Sequence, residues 1–266
     1  MPFRVGVHST PRTCKKGPMA STDLATPPAD LLDGASLFLD FDGTLVDLAD
    51  RPGDVAVDPA LIALLDRLAS RLDNRVALVS GRSVAQLDGF FGANGKTLAI
   101  VGSHGAEHRP AGGVITRPDR PQALDAAQKL IAETFAGRTG VVIEEKSLGV
   151  GVHYRLDPSA ETDARALVDK IAAAHGLGVQ HGKMMVELRL PGFDKGSAIA
   201  AMLSEPPFAG HRPVFLGDDL TDEPGFAACA AAGGVGVLVG ALRETAATYR
   251  LDGVAAVHTW LEEAAR

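Results

Sequence analysis

The stretch Ser36-Leu37-Phe38-Leu39-Asp40-Phe41-Asp42-Gly43-Thr44-Leu45 constrains the fold most, because an apolar run ends abruptly in two carboxylates and a glycine. Buried parallel strands read as continuous apolar runs, and in open α/β sheets chemistry collects just beyond their carboxyl ends. Asp40 and Asp42 therefore stand where a site forms. With a two-residue period they share a face if the strand continues through them, and carboxylates that close repel unless a cation or proton lies between them. A hard divalent cation held by oxygen ligands resolves the repulsion. The plain alternative is a strand followed by an Asp-Gly turn.

Three later segments follow the same grammar of apolar strand, then polar turn. Arg75 to Val79 leads into Ser80-Gly81-Arg82, which places a hydroxyl and backbone N–H groups beyond a strand end, as an anion-binding turn requires. Asp194-Lys195-Gly196-Ser197 opens a helical pattern, with Asp194 as N-cap and Lys195 in the first turn. A lysine there opposes the helix dipole, so a bound anion explains it better than helix stability does. Pro213 to Leu216 runs into Gly217-Asp218-Asp219-Leu220-Thr221-Asp222-Glu223, an acidic turn dense enough to suggest Mg²⁺.

In order and in kind these four segments resemble the haloacid dehalogenase superfamily of phosphotransferases, over residues 36–260. The resemblance implies an α/β fold with a doubly wound, mostly parallel sheet and an inserted α/β cap domain. It also implies in-line phosphoryl transfer through a covalent aspartyl-phosphate, with Mg²⁺ as cofactor. Asp40 would be nucleophile and metal ligand. Asp42 would be general acid/base, its backbone carbonyl also meeting the metal. Thr44, Ser80 and Lys195 would hold phosphoryl oxygens, and Asp218 would complete the metal site with Asp222, directly or through water. Elementary chemistry agrees: a carboxylate is a weak nucleophile that needs its phosphoryl target neutralised and aligned, which is work for metal, lysine and hydroxyls.

With 266 residues, 46% of them hydrophobic, the chain can bury one large core and a smaller second one. The expected division is a disordered tail over 1–34, a phosphatase core over 35–112 and 192–266, and a cap over 113–191. The tail carries Lys15-Lys16-Gly17-Pro18 and Pro27-Pro28 without apolar periodicity, residues 1–22 contain no acid, and Met19 is an alternative start to Met1. A net charge of −7 with no basic block argues against nucleic acid. No run approaches the roughly 18 apolar residues of a membrane helix. Cys14 and Cys229 have neither metal nor disulfide spacing, which fits a reducing cytoplasm.

Along the core, Asp58-Pro59 starts a helix through Leu61, Leu64, Leu65, Leu68 and Leu72. A second helix spans about 84–91 and a strand 97–101, giving right-handed β-α-β units. From 114 to 191 the pattern becomes α-β-β-α-β-β, which interrupts the alternation and reads as an insert between Pro110–Gly113 and Pro191-Gly192. Strands are expected at Val235 to Val239 and at Gly253 to Val257.

The insert's strands alternate strictly: Lys183, Met185, Glu187 and Arg189 share one face, Met184, Val186, Leu188 and Leu190 the other. Charged sheet faces usually meet water. This mixture of acids, bases and glycines also suits a polyol, whose hydroxyls need donors and acceptors together.

The insert and the turn Gly102-Ser103-His104-Gly105-Ala106-Glu107 resemble the trehalose-6-phosphate phosphatase family, along with Glu144-Glu145-Lys146, His153-Tyr154-Arg155, Gly182 to Glu187 and the acidic heptad. That resemblance implies that Glu144, Lys146, Arg155, Lys183 and Glu187 hold glucose hydroxyls, with His104 a candidate beside them. It also implies a functional link to trehalose-6-phosphate synthase. Pro224-Gly225 departs from the family pattern at the start of the next helix. Two alternatives stay open: another substrate, such as sucrose 6-phosphate or mannosyl-3-phosphoglycerate, and a catalytically silent regulatory subunit that binds a sugar phosphate.

Overall fold

The computed structural model describes residues 24–266. A seven-stranded sheet is ordered β11-β10-β9-β1-β2-β3-β4. Its strands are β1 (Ala35–Leu39), β2 (Val76–Val79), β3 (Ala99–Gly102), β4 (Glu107–Arg109), β9 (Arg212–Gly217), β10 (Val235–Val239) and β11 (Tyr249–Leu251). All pairings are parallel except β3 with β4. The strand order turns back at β1, which lies between β2 and β9, so the crevice beyond Leu39 is the topological switch point where such sheets bind ligands.

Alternation along β1 explains the helices on both faces. Leu37 and Leu39 join a core with helix α1 (Pro59–Arg71) and the last helix, α7 (Val254–Ala264). Phe38 points the other way, into a core with Phe215, Phe226, Ile199 and Met202. The latter residues come partly from α5 (Lys195–Met202) and α6 (Glu223–Ala231). Helix α1 starts where the sequence says, since the Asp58 carboxylate accepts from Ala60 N at 2.8 Å and Pro59 needs no intrahelical donor bond. Helix α2 (Val84–Phe91) follows β2 and opens on Ser83. Pro224 sits in the first turn of α6, where proline is tolerated, and Gly225 is required because a Cβ there would lie 2.4 Å from the Phe215 ring.

Between β4 and α5 the chain builds a second, antiparallel sheet ordered β5-β6-β8-β7. It comprises β5 (Val142–Lys146), β6 (Gly149–His153), β7 (Gly178–Gly182) and β8 (Met185–Arg189). Val150, Val152, Val186 and Leu188 pack on α3 (Gln122–Phe135) and α4 (Glu161–His175) through Leu124, Ile131, Val168 and Ile171. The period-2 reading of β8 therefore holds, and its other face turns toward the large sheet.

Three expectations change. Gly253 to Val257 is not a strand: the last strand is Tyr249–Leu251, and Val257, Trp260, Leu261 and Ala264 recur at helical spacing on the buried side of α7. The tail expected over 1–34 is structured from residue 24. Ala29–Leu32 forms a 3-10 turn that buries Leu31 and Leu32, Ala25 bridges Tyr249, and Trp260 Nε1 donates to the Pro28 carbonyl at 3.2 Å. Two leucines are too short a pattern to show periodicity. Residues 1–23, with Cys14 and Met19, lie outside the described residues. Finally, β4 has no counterpart in the sequence reading, because three residues with two charges carry no strand pattern. Among the described residues no helix is long and apolar enough to cross a membrane.

Candidate active site

Asp40 ends β1, buried at 4% exposure, and its N–H donates to the Leu216 carbonyl at 2.9 Å, continuing the pairing with β9. Lys195 Nζ lies 2.7 Å from both Asp40 Oδ1 and Asp222 Oδ1. Its position is set locally: Asp194 caps α5 by accepting from Ser197 N at 2.7 Å, so the next residue projects from the helix start into the crevice. Asp222 is fixed in the same manner, its Oδ2 accepting from Asp219 N at 3.0 Å while Asp219 accepts from Thr221 N at 2.7 Å. Two glycines make room for these acids. A Cβ on Gly43 would lie 2.4 Å from Asp218 Oδ2, and one on Gly217 would lie 2.3 Å from the Asp222 carboxyl carbon.

Asp40, Asp218 and Asp222 each bring a carboxylate oxygen within 4.8 Å of the others. Burial holds Asp40 well above the usual carboxylate range, against Lys195 and with help from Asp222 and Asp218. Burial, then the charges of Asp219 and Asp222, pushes Asp218 up to about 6. Asp40 and Asp222 share Lys195 and Asp218 meets the exposed Lys183, so three acids face two lysines and carry excess negative charge; all their donors are hard oxygens, which fits Mg²⁺ and does not fit a soft metal. Beside it, the fully buried Thr44 hydroxyl has no hydrogen-bond partner among the described residues, and a buried orphan hydroxyl calls for a ligand.

Asp42 turns its carboxylate to Arg82, whose Nε and Nη2 donate to its two oxygens at 2.7 and 2.8 Å. The guanidinium lies over the Phe90 and Phe41 rings, 4.9 and 5.6 Å from their centroids. Arg82 belongs to the turn after β2, where its N–H donates to Ser80 Oγ at 3.1 Å. The turn after β3 holds this one in place: Ser103 N donates to the Arg82 carbonyl at 2.8 Å and His104 N to that of Ser80 at 3.0 Å. Ser103 and His104 both adopt left-handed φ, 49° and 55°, a cost accepted at constrained sites. Gly81 underlies the His104 imidazole so closely that a Cβ would lie 2.6 Å from Cε1.

The second sheet closes the crevice with its charged face. Lys146 Nζ lies 2.5 Å from Glu187 Oε2 and 3.3 Å from the Gly81 carbonyl. Glu144 meets His153 Nε2 and Gln86 Nε2, each at 2.7 Å. His104 Nε2 is 3.5 Å from Glu187 Oε2, and Lys183 Nζ reaches 3.2 Å from Asp218. Burial alone would raise Glu187, yet Lys146 and His104 outweigh it and bring it down to about 2. Glu144 ends at about 2 as well, burial being overcome by His153 and Lys146. Burial would lower Lys146, but Glu187 and Glu144 leave it raised. Burial lowers His104, with Glu187 acting in the opposite sense.

Every residue singled out from the sequence therefore lies on this one crevice or directly behind it. Asp40, Asp42, Ser80, Lys195 and Asp218 line its floor, and Glu144, Lys146, Lys183 and Glu187 its roof. Thr44 and Asp222 are buried behind the floor. Arg155 stands at the mouth, its Nε 3.9 Å from Asp50. The roof is not a solvated sheet face, since Lys146 and Glu187 are 7% and 2% exposed. Sequence reasoning missed Arg82, Gln86 and His153. Arg82 was visible as the cation following the Ser80 turn, whereas nothing in the sequence pairs Gln86 with Glu144.

Comparison with known proteins matches residues 38–255 to the trehalose-phosphatase family model. A probable trehalose-phosphate phosphatase of Sinorhizobium fredii is 39% identical over 211 residues, 79% of each chain. The trehalose-6-phosphate phosphatase of Escherichia coli is 37% identical over 243 residues, 91% of this chain and 90% of that one. Among solved structures, a trehalose-6-phosphate phosphatase related protein superposes with a TM-score of 0.72 at 29% identity, covering 85% of this chain and 95% of that one.

Proposed function

This chain belongs to the trehalose-phosphatase family, a family of phosphoric monoester hydrolases, and on that premise we propose that it hydrolyses trehalose 6-phosphate to trehalose and phosphate. The observation that carries this reading is the roof. Lys146, Glu187 and Glu144 are ionised, largely buried and placed over a floor of Asp40, Lys195 and Ser80, so donors and acceptors for a sugar stand opposite groups for a phosphate. In this reading residues 35–112 and 192–266 are the phosphatase core and 113–191 its cap.

Asp40, Asp218 and Asp222 would hold Mg²⁺ with the Asp42 carbonyl, and the ion would supply positive charge to the phosphoryl oxygens. Lys195, already neutralising Asp40 and Asp222, turns its ammonium to the same oxygens, joined by the Thr44 and Ser80 hydroxyls. An Asp40 oxygen attacks phosphorus and the bond from phosphorus to O6 of the sugar breaks. Asp42 gives its proton to that leaving oxygen. In the second half Asp42 takes a proton from water, whose oxygen attacks the aspartyl-phosphate, and phosphate leaves with Asp40 restored. Between turnovers Arg82 holds Asp42 as a carboxylate by both oxygens, and one of these bonds opens when Asp42 takes up from solvent the proton that it gives to the leaving oxygen. A functional link to trehalose-6-phosphate synthase, which would supply the substrate, goes with this reading.

The test is product analysis. Purified protein with trehalose 6-phosphate and Mg²⁺ should release trehalose and phosphate in equal amounts, and a chelator should stop it. Absence of either product under these conditions contradicts the proposal.

A further inference from the structure

Glu144 is the one roof acid whose two oxygens are both engaged by neighbouring side chains from different sheets' surroundings: His153 on β6 and Gln86 on α2. Gln86 is part of the core beneath, not of the second sheet. Its orientation is determined. Ser83 N–H can only donate, and it donates to Gln86 Oε1 at 2.9 Å, so the amide nitrogen is left to face Glu144 Oε1 at 2.7 Å. Gln86 N in turn donates to Ser83 Oγ at 3.2 Å, which completes a capping box at the start of α2.

We propose that Gln86 is a specificity-determining positioning residue: its amide, anchored by Ser83 next to the phosphate turn, aims the Glu144 carboxylate at the sugar side of the crevice. The inference rests on the sugar-phosphate reading above. Helix capping alone does not account for the residue type, because glutamate serves the third helical position of a capping box as well as glutamine does. Only Glu144 requires an N–H donor there. A carboxylate at position 86 would face the ionised Glu144 across a hydrogen-bond distance and push the roof strand away. The residue thus links the phosphate turn, through Ser83, to a group that reads the sugar.

The experiment is a double-mutant cycle on the full chain, read as kcat/KM for trehalose 6-phosphate and for p-nitrophenyl phosphate. Gln86→Glu keeps the capping box, so the chain should stay folded at assay temperature, while the two facing carboxylates lower its melting temperature. It should lower kcat/KM for the sugar phosphate roughly 10 to 100-fold, chiefly through KM, and that for the small ester by less than about three-fold. In a Glu144→Gln background the same change should cost little, because the new amide at 144 donates to the new carboxylate at 86. Equal losses in both backgrounds, equal losses on both substrates, or no loss at all would each overturn the positioning role. A wild type that turns over the sugar phosphate no better than the small ester would instead contradict the substrate reading, and the inference with it.

Discussion

Arg82 grips both oxygens of Asp42, at 2.7 and 2.8 Å, and so joins the turn after the second strand to the second carboxylate of the first. A bidentate guanidinium fixes the plane of a carboxylate as well as its place. If Asp42 protonates the sugar oxygen, losing this grip should matter most where the leaving group is poor. Arg82→Ala should lower kcat on trehalose 6-phosphate by about 10 to 100-fold, within the range of general acid catalysis, and lower it far less on p-nitrophenyl phosphate. Equal losses on the two esters would make Arg82 a structural residue.

In the proposed mechanism Asp40→Asn removes the nucleophile and a metal-binding charge at constant volume. Turnover should fall below detection while the melting temperature stays near wild type. Borohydride treatment of acid-quenched wild-type turnover mixtures should convert the acyl-phosphate at position 40 to homoserine, detectable by mass spectrometry. Asp42→Asn should also lose turnover yet change Mg²⁺ affinity less, since in the proposed mechanism that residue would offer the metal its carbonyl. Near-normal turnover by either variant refutes the shared mechanism.

The first two carboxylates, the lysine at a helix start and the acidic turn were legible because each follows a strand or opens a helix, and those patterns need only local periodicity. The alternation in β8 gave the composition of the roof. Which way that roof faces was not legible: burial of Lys146 and Glu187 depends on a sheet docking over Gly81 and His104, residues far away in the chain. Gln86 with Glu144, and Arg82 with Asp42, are pairs of the same long-range kind. The misread segment, 253–257, was too short to separate a two-residue period from the first turn of α7.

Glu187 carries a pH signature. Its pKa falls from an ordinary 4.5 to about 2 in the folded chain, where Lys146 and His104 overcome burial. A carboxylate lowered on folding adds stability above the unfolded value, and that stability is lost as pH drops from about 4.5 toward 2. Glu187→Gln should therefore be less stable than wild type at pH 7, and the gap should narrow between pH 5 and pH 3 in urea melts. A gap independent of pH would contradict the buried pair.

Glu187→Ala tests the roof as a sugar site. Each hydroxyl contact left unpaired costs on the order of 1 to 3 kcal/mol, so activity on trehalose 6-phosphate should fall roughly 10 to 100-fold or more. Hydrolysis of p-nitrophenyl phosphate, which has no sugar to hold, should change much less. Equal losses would mean that Glu187 only supports the fold.

The central claim is that the charged roof selects trehalose 6-phosphate for the phosphatase floor beneath it. The most direct measurement compares kcat/KM for trehalose 6-phosphate, sucrose 6-phosphate, mannosyl-3-phosphoglycerate and p-nitrophenyl phosphate, in Mg²⁺ and after chelation. The account predicts clear preference for trehalose 6-phosphate and loss of all four activities without Mg²⁺; a preference for sucrose 6-phosphate, or turnover that survives chelation, would contradict it.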